Sequence, residues 1–250
     1  MRTALPRALA CAAVLCAAAV QAADLTVSAA ASLTNAFKDL APLFGAAHPG
    51  HQLQFNFAAS GALLQQIAKG APVDVFASAD QDTMDEAQAR QLVVAGQRRN
   101  FVSNALVVVV PASAANPPKT VADLTGTGYA RIAIGLPASV PVGRYTQRVL
   151  QAAGAWRAVE PRMIGAHHVR QALDYVARAE VDAGFVYATD AALMPDKVKV
   201  AFVVPTPTPI LYPVAPVAAS PNAALAQRFV EFLAAPPAQA VLAKHGFGKP

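Results

Sequence analysis

The sequence predicts an α/β protein of two lobes, each a largely parallel sheet flanked by helices, joined by two crossing strands. Three observations carry this. Strand-like and helix-like segments alternate along most of the chain, the pattern of parallel sheets covered by helices. Two segments break the alternation, "NALVVVV" (Asn104–Val110) and "LYPVAPV" (Leu211–Val217), and are natural crossing points between lobes. The composition, 55% apolar against 14% charged, is that of a compact globule rather than a disordered chain. The expected division is a leader at 1–22, a first lobe of 23–103 plus 218–250, a second lobe of 112–203, and crossings at 104–111 and 204–217.

The leader is read first. Arg2 and Arg7 precede an apolar run from Ala8 to Val20, and Val20-Gln21-Ala22 supplies small residues for cleavage. This is the layout of a secretory signal peptide, and the run is too short to span a bilayer. Leu15 before Cys16 fits poorly with a lipid anchor. Both cysteines, Cys11 and Cys16, fall within the leader. Disulfides, thiolate metal sites and cysteine nucleophiles are therefore not expected in the exported chain.

Leu25–Ala29 reads as a strand and Ser32–Phe44 as a helix, because Leu33, Ala36, Phe37, Leu40 and Phe44 share one face at 3.6 residues per turn. Pro42 within it predicts a kink or an early end. Gln52–Phe57 is a strand, and Ser60–Lys69 is a helix that stops at Gly70 with Pro72 beyond. Val73–Ala77 is a strand followed by a helix over Asp80–Leu92. Asn104–Val110 is a continuous apolar run, the mark of a strand covered on both faces. Arg131–Gly135, Arg162–Gly165 and Ala183–Tyr187 are strands, each followed by a helical stretch. After the second of these, Val169, Ala172, Leu173, Val176 and Ala177 form one face. The short "VVPTPTPI" is a stiff connector, and helices from Ser220 close the chain.

Charge and motifs exclude several functions. Of 20 basic residues two lie in the leader, against 15 acidic ones, and no basic tract interleaves with aromatics. Nucleic acid is not an expected partner. No glycine-flanked serine elbow appears, so a catalytic triad is not indicated and the chain is read as a non-enzyme. His167-His168 have no third ligand at metal spacing, and no metal-cation site is expected. Asp74 and Asp80 are read as an edge residue and a helix N-cap rather than a working carboxylate pair.

The chemistry falls at strand–helix junctions. In parallel α/β sheets, ligands sit beyond the carboxyl ends of strands. Helix N-termini there present unpaired N–H groups and a partial positive charge, and so bind anions without a lysine or arginine. "SAAASLTNAF" sets Ser32 in a run of tiny residues, and "FAASGALLQQI" opens its helix at Ser60. Either serine alone is explained as an N-cap. The pattern recurs, however, at Val142 in "LPASVPVGRY" and at Val169 in "GAHHVRQAL", giving two junctions in each lobe. Tyr187 closes a strand in "AGFVYATDA" and offers a hydroxyl.

Taken in order, "AAASLTNAF", "FAASGALLQQI", "GAPVDVFASADQ", "NALVVVVP", "VPVGRY", "HHVRQAL" and "VYATDA" resemble the periplasmic molybdate-binding proteins of molybdate ABC transporters, over essentially the whole exported chain. The resemblance implies a type II periplasmic binding-protein fold with no cofactor. It also implies one tetrahedral oxyanion, molybdate or tungstate, held by Ser32 and Ser60 from the first lobe and by the Val142 and Val169 N–H groups and the Tyr187 hydroxyl from the second. It further implies a monomer in the periplasm that delivers its ligand to an inner-membrane permease. Three positions depart from the family pattern. Val142 stands where a smaller alanine can occur, Gly61 where some members carry a serine, and His167-His168 where an acidic pair is more usual. The alternative is another binder of the same fold for sulfate, phosphate or a small organic anion. That alternative gains if Arg144 or Arg170 points into the cleft, since carboxylates recruit arginine.

Overall fold

The computed structural model of the protein describes residues 24–250, so the segment 1–22 expected to be a leader, with both cysteines, lies outside the described residues. Two five-stranded sheets form the two lobes. The first takes β1 (Leu25–Ala30), β2 (Leu53–Ala58), β3 (Val75–Ala77), β4 (Arg99–Asn104) and β10 (Ile210–Pro216), in the order β2-β1-β3-β10-β4. The second takes β5 (Leu106–Pro111), β6 (Ile132–Gly135), β7 (Met163–Ala166), β8 (Ala183–Tyr187) and β9 (Val198–Val204), in the order β7-β6-β8-β5-β9. The two orders correspond strand for strand.

In each sheet four strands run one way and one runs against them: β10 in the first, β5 in the second. The connectivity explains the exception. β4 leaves the first sheet with its carboxyl end toward the cleft and continues through Ala105 as β5. It therefore enters the second sheet from the cleft side, opposite to strands that end there. β9 and β10 repeat the manoeuvre in reverse. The segments 104–111 and 204–217, expected as crossings, carry β5 and β10, each hydrogen-bonded into the sheet at which it arrives. Leu106–Val110 are all buried, as the unbroken apolar run requires.

Helices α1 (Thr34–Ala47), α2 (Ser60–Ala68), α3 (Gln81–Ala89), α8 (Ala223–Ala234) and α9 (Pro236–Lys244) cover the first sheet, and α4 (Pro141–Ala152), α5 (Trp156–Val159), α6 (Val169–Ala177) and α7 (Ala188–Ala191) the second. The core of the first lobe is aromatic. Phe37 meets Phe55, Phe101 and Phe229 at ring distances of 6.0, 5.9 and 5.9 Å, and Phe44 meets Phe229 and Phe232 at 5.3 Å each. This packing holds α1 in place through Pro42, which neither ends nor interrupts the helix. Pro42 is on the solvent face together with Lys38, whose carbonyl loses its helical donor and can turn to water instead.

Some elements differ from expectation. The turn after β1 is a single 3-10 turn (Ala31–Leu33) before α1 begins. Strands β4 and β9, which the sequence pattern did not single out, each lie at one edge of their sheet. Their burial is irregular, so neither shows a clean alternation. Asp80 caps α3 as expected, accepting from the Thr83 N–H at 3.2 Å. Asp74 is not an edge residue. It is buried and ties the first lobe together, accepting from the Thr26 N–H at 2.8 Å, the Ser220 hydroxyl at 2.6 Å and the Asn222 amide at 3.2 Å.

Candidate functional site

The carboxyl ends of the central strands of both sheets face each other, and four helical N-termini converge between them. The small space between them is lined by Ser32, Ser60, Val142, Val169 and Tyr187, with alanines, Val140, Pro141 and His168 between them. All five residues chosen from the sequence are thus brought together, although Ser32 and Tyr187 lie in different lobes.

Local sequence explains the placement. The chain leaves β1 through Ala30 and Ala31, whose small side chains keep the backbone close to the cavity, and Ser32 follows, 3% exposed. Ser60 is the first residue of α2 and is fully buried. Its Oγ accepts from the Ala79 N–H at 3.0 Å, which leaves the hydroxyl proton to be donated elsewhere. Pro141 opens α4 with its fixed φ. The Gly143 and Arg144 N–H groups both turn to the Val140 carbonyl, at 3.0 and 3.2 Å, so the Val142 N–H is the first-turn donor left over. Gly143 is required there, because a Cβ would fall 1.9 Å from the Gly135 carbonyl oxygen at the end of β6.

His168 is the N-cap of α6. Its Nδ1 accepts from the Gln171 N–H at 3.1 Å, and the His167 N–H donates to the Gln171 side chain at 2.6 Å. An accepting Nδ1 places the ring's proton on Nε2. Burial holds the His168 pKa below its ordinary value, with His167 and Arg170 adding to that push and Asp174 opposing it. The histidine pair therefore builds the helix end that presents Val169. Tyr187, 1% exposed, donates to the Ala79 carbonyl across the lobes in a long bond of 3.3 Å, so its one proton must turn from that carbonyl to reach a ligand, and burial keeps the phenol protonated by raising its pKa.

Among the described residues no charged side chain lines the space. Arg144 and Arg170 turn away from it and bridge the lobes. Arg144 Nε reaches Asp80 at 2.8 Å and its Nη2 reaches the Thr83 hydroxyl at 2.6 Å. Arg170 donates to the Ser32 carbonyl at 3.1 Å and Asn35 Oδ1 at 2.8 Å, and pairs with Asp190 of its own lobe at 2.5 Å. Burial pushes the Asp190 carboxyl up to about 6, against the pull of Arg170. The Gly61 N–H donates to the Ser139 carbonyl at 3.0 Å, a backbone bond directly between lobes. The lobes are thus closed on each other, and the cavity holds hydrogen-bond donors without a counter-charge.

The sequence reading missed Tyr212, Asn104 and the capping role of His168. Tyr212 is fully buried on β10, and its hydroxyl lies 3.0 Å from Ser32 Oγ across 180 positions of chain. No local pattern signals such a partner. A histidine directly before a helical apolar face was a signal for the cap.

Comparison with known proteins gives a consistent picture. A family model described as bacterial extracellular solute-binding protein matches residues 25–248. The molybdate-binding protein ModA of Escherichia coli is 37% identical over 228 residues, covering 89% of this chain and 88% of that protein. The periplasmic molybdate-binding protein of Azotobacter vinelandii superposes with a TM-score of 0.76 at 26% identity, covering 90% of this chain and 99% of that one. The sulfate-binding protein SubI of Mycobacterium tuberculosis gives a TM-score of 0.77 at 20% identity, over 90% of this chain and 86% of that one, and so shares the fold.

Proposed function

The chain belongs to the bacterial extracellular solute-binding proteins, and on that premise we propose that it is the periplasmic molybdate-binding component of an ABC importer. Molybdate, or the closely similar tungstate, is held between the lobes by Ser32, Ser60, Val142, Val169 and Tyr187. The observation that carries this reading is the small cavity ringed by helix N-termini and hydroxyls with, among the described residues, no charged side chain on its wall. A dianion buried without counter-charge needs many aligned donors, since an unpaired buried charge is very costly. Hydrogen bonds to a charged acceptor are the strong kind, and helix termini add potential. With Arg144 and Arg170 occupied elsewhere, the bidentate partner that a small organic carboxylate recruits is missing from the wall.

Closure is the transport signal. The ligand touches both lobes only when they meet, so binding shifts the population toward the closed form that the permease reads. The protein does no chemistry on its ligand and acts as a monomer. An amino-terminal signal peptide, 1–22, exports it to the periplasm.

Isothermal titration of ligand-stripped protein at neutral pH tests the reading. Molybdate and tungstate are expected to bind one to one, with sulfate and phosphate at least a hundredfold weaker. Ser32→Ala and Ser60→Ala should each lose about 1.5–3 kcal/mol of binding, the value of a hydrogen bond to a charged group. Preference for sulfate or phosphate, or unchanged affinity in both variants, would contradict it.

A further inference from the structure

Ser32 does not stand alone at the cavity wall. Its Oγ lies 3.0 Å from the Tyr212 hydroxyl, and Asn104 Nδ2 lies 3.2 Å from that same hydroxyl and 2.9 Å from Thr189 Oγ1. The amide's orientation is fixed by its other end, because Asn104 Oδ1 accepts from the Ala105 N–H at 2.9 Å. Asn104 therefore donates to Tyr212. Tyr212 is fully buried, and burial keeps its phenol protonated. Its single proton needs an acceptor, and among the described residues the one within reach is Ser32 Oγ. The serine then accepts from the tyrosine, and its own proton is left for the cavity.

We propose that Asn104 and Tyr212 are positioning residues that make Ser32 a donor only, and so help the site to reject protonated oxyanions. The inference rests on the reading of the cavity as an oxyanion site and adds to it a cause of selectivity. A lone serine hydroxyl is ambivalent. It can turn its proton toward a bare oxygen or a lone pair toward an X–OH group, and so would tolerate hydrogen phosphate. Ser32 is biased against the second choice, because its Oγ already accepts the Tyr212 proton and turning its remaining lone pair to an X–OH group would leave its own proton unpaired in a buried wall. Ser60 is set in the same sense by the Ala79 N–H. Asn104 ends β4 where the chain crosses between lobes, and it also holds Thr189 of the second lobe. The polarity of Ser32 is thereby tied to the crossing itself.

The test is a double-mutant cycle in the full exported chain, titrated with molybdate. Tyr212→Phe keeps the ring and its contact with Tyr187 while removing the proton. It should weaken molybdate about tenfold, the scale of one charge-assisted bond made less favourable. On a Ser32→Ala background the same change should cost nothing further. Competition by phosphate at pH 8, where it is chiefly the singly protonated dianion, should strengthen relative to molybdate in Tyr212→Phe. An equal loss on both backgrounds would mark Tyr212 as merely structural and overturn the relay. Unchanged molybdate affinity in Tyr212→Phe, with the wild type binding normally, would overturn the relay alone. A wild type that takes up no oxyanion would overturn the relay and the site reading together.

Discussion

A Cβ on Gly61 would sit 2.7 Å from the Ser139 carbonyl oxygen and 2.9 Å from its Cα. Both are backbone atoms of the opposite lobe and cannot swing aside. The glycine that replaces a possible hydroxyl donor is thus a closure contact. Gly61→Ala is expected to keep the fold, since Gly61 lies in the first turn of α2, and to weaken molybdate at least tenfold by propping the lobes apart. Unchanged affinity by titration would show that closure tolerates the methyl. At this scale Ser32, Ser60, Val142, Val169 and Tyr187 were legible as candidates because each ends a strand or opens a helix. Tyr212 and Asn104 were not, because their work depends on contacts of 180 and 108 positions in sequence separation.

At the scale of elements, α6 shows how a histidine can stand in for the usual cap. His168 accepts from the Gln171 N–H only while Nδ1 is unprotonated, and burial holds its folded pKa below the usual 6.5. The unfolded chain therefore takes up this proton first as the pH falls. The group's contribution to stability is fully present above about pH 6.5 and is lost as the pH drops toward the lowered folded value. His168→Asn, which also caps, should flatten that part of the profile between pH 7.5 and 5.5. The wild type should lose more than the variant over the same range, by at most about 1.4 kcal/mol, the ceiling that one proton sets there. Parallel profiles in thermal or denaturant unfolding would contradict it. Long periodic elements such as α1 and α6 were readable from spacing. Strands β4 and β9 were not, since their burial does not alternate and leaves no period of two to read. The early end read at Pro42 does not occur, because the cost of the proline depends on which face of the helix carries it, which packing decides.

For the whole molecule, the two-lobe plan followed from a count of breaks in a strand–helix alternation. The reversed strand in each sheet was harder to foresee, because it comes from the direction in which the chain re-enters a lobe. What the fold achieves is a meeting of strand ends. Each sheet delivers helix N-termini to one side of a gap, and two crossings let the sides close. The interlobe bonds of Arg144, Arg170 and Gly61 are spent on holding that closure, outside the cavity they enclose. The family's fold is shared with binders of other anions, so the ligand is decided by the wall of this one space.

The most direct measurement is therefore a crystal structure of the molybdate-loaded protein with diffraction data on both sides of the molybdenum absorption edge. The account predicts one anomalous peak between the lobes, within hydrogen-bonding reach of Ser32, Ser60, Tyr187 and the Val142 and Val169 N–H groups. A loaded protein whose peak lies outside this cavity, or whose oxyanion is ligated there by an arginine, would contradict it.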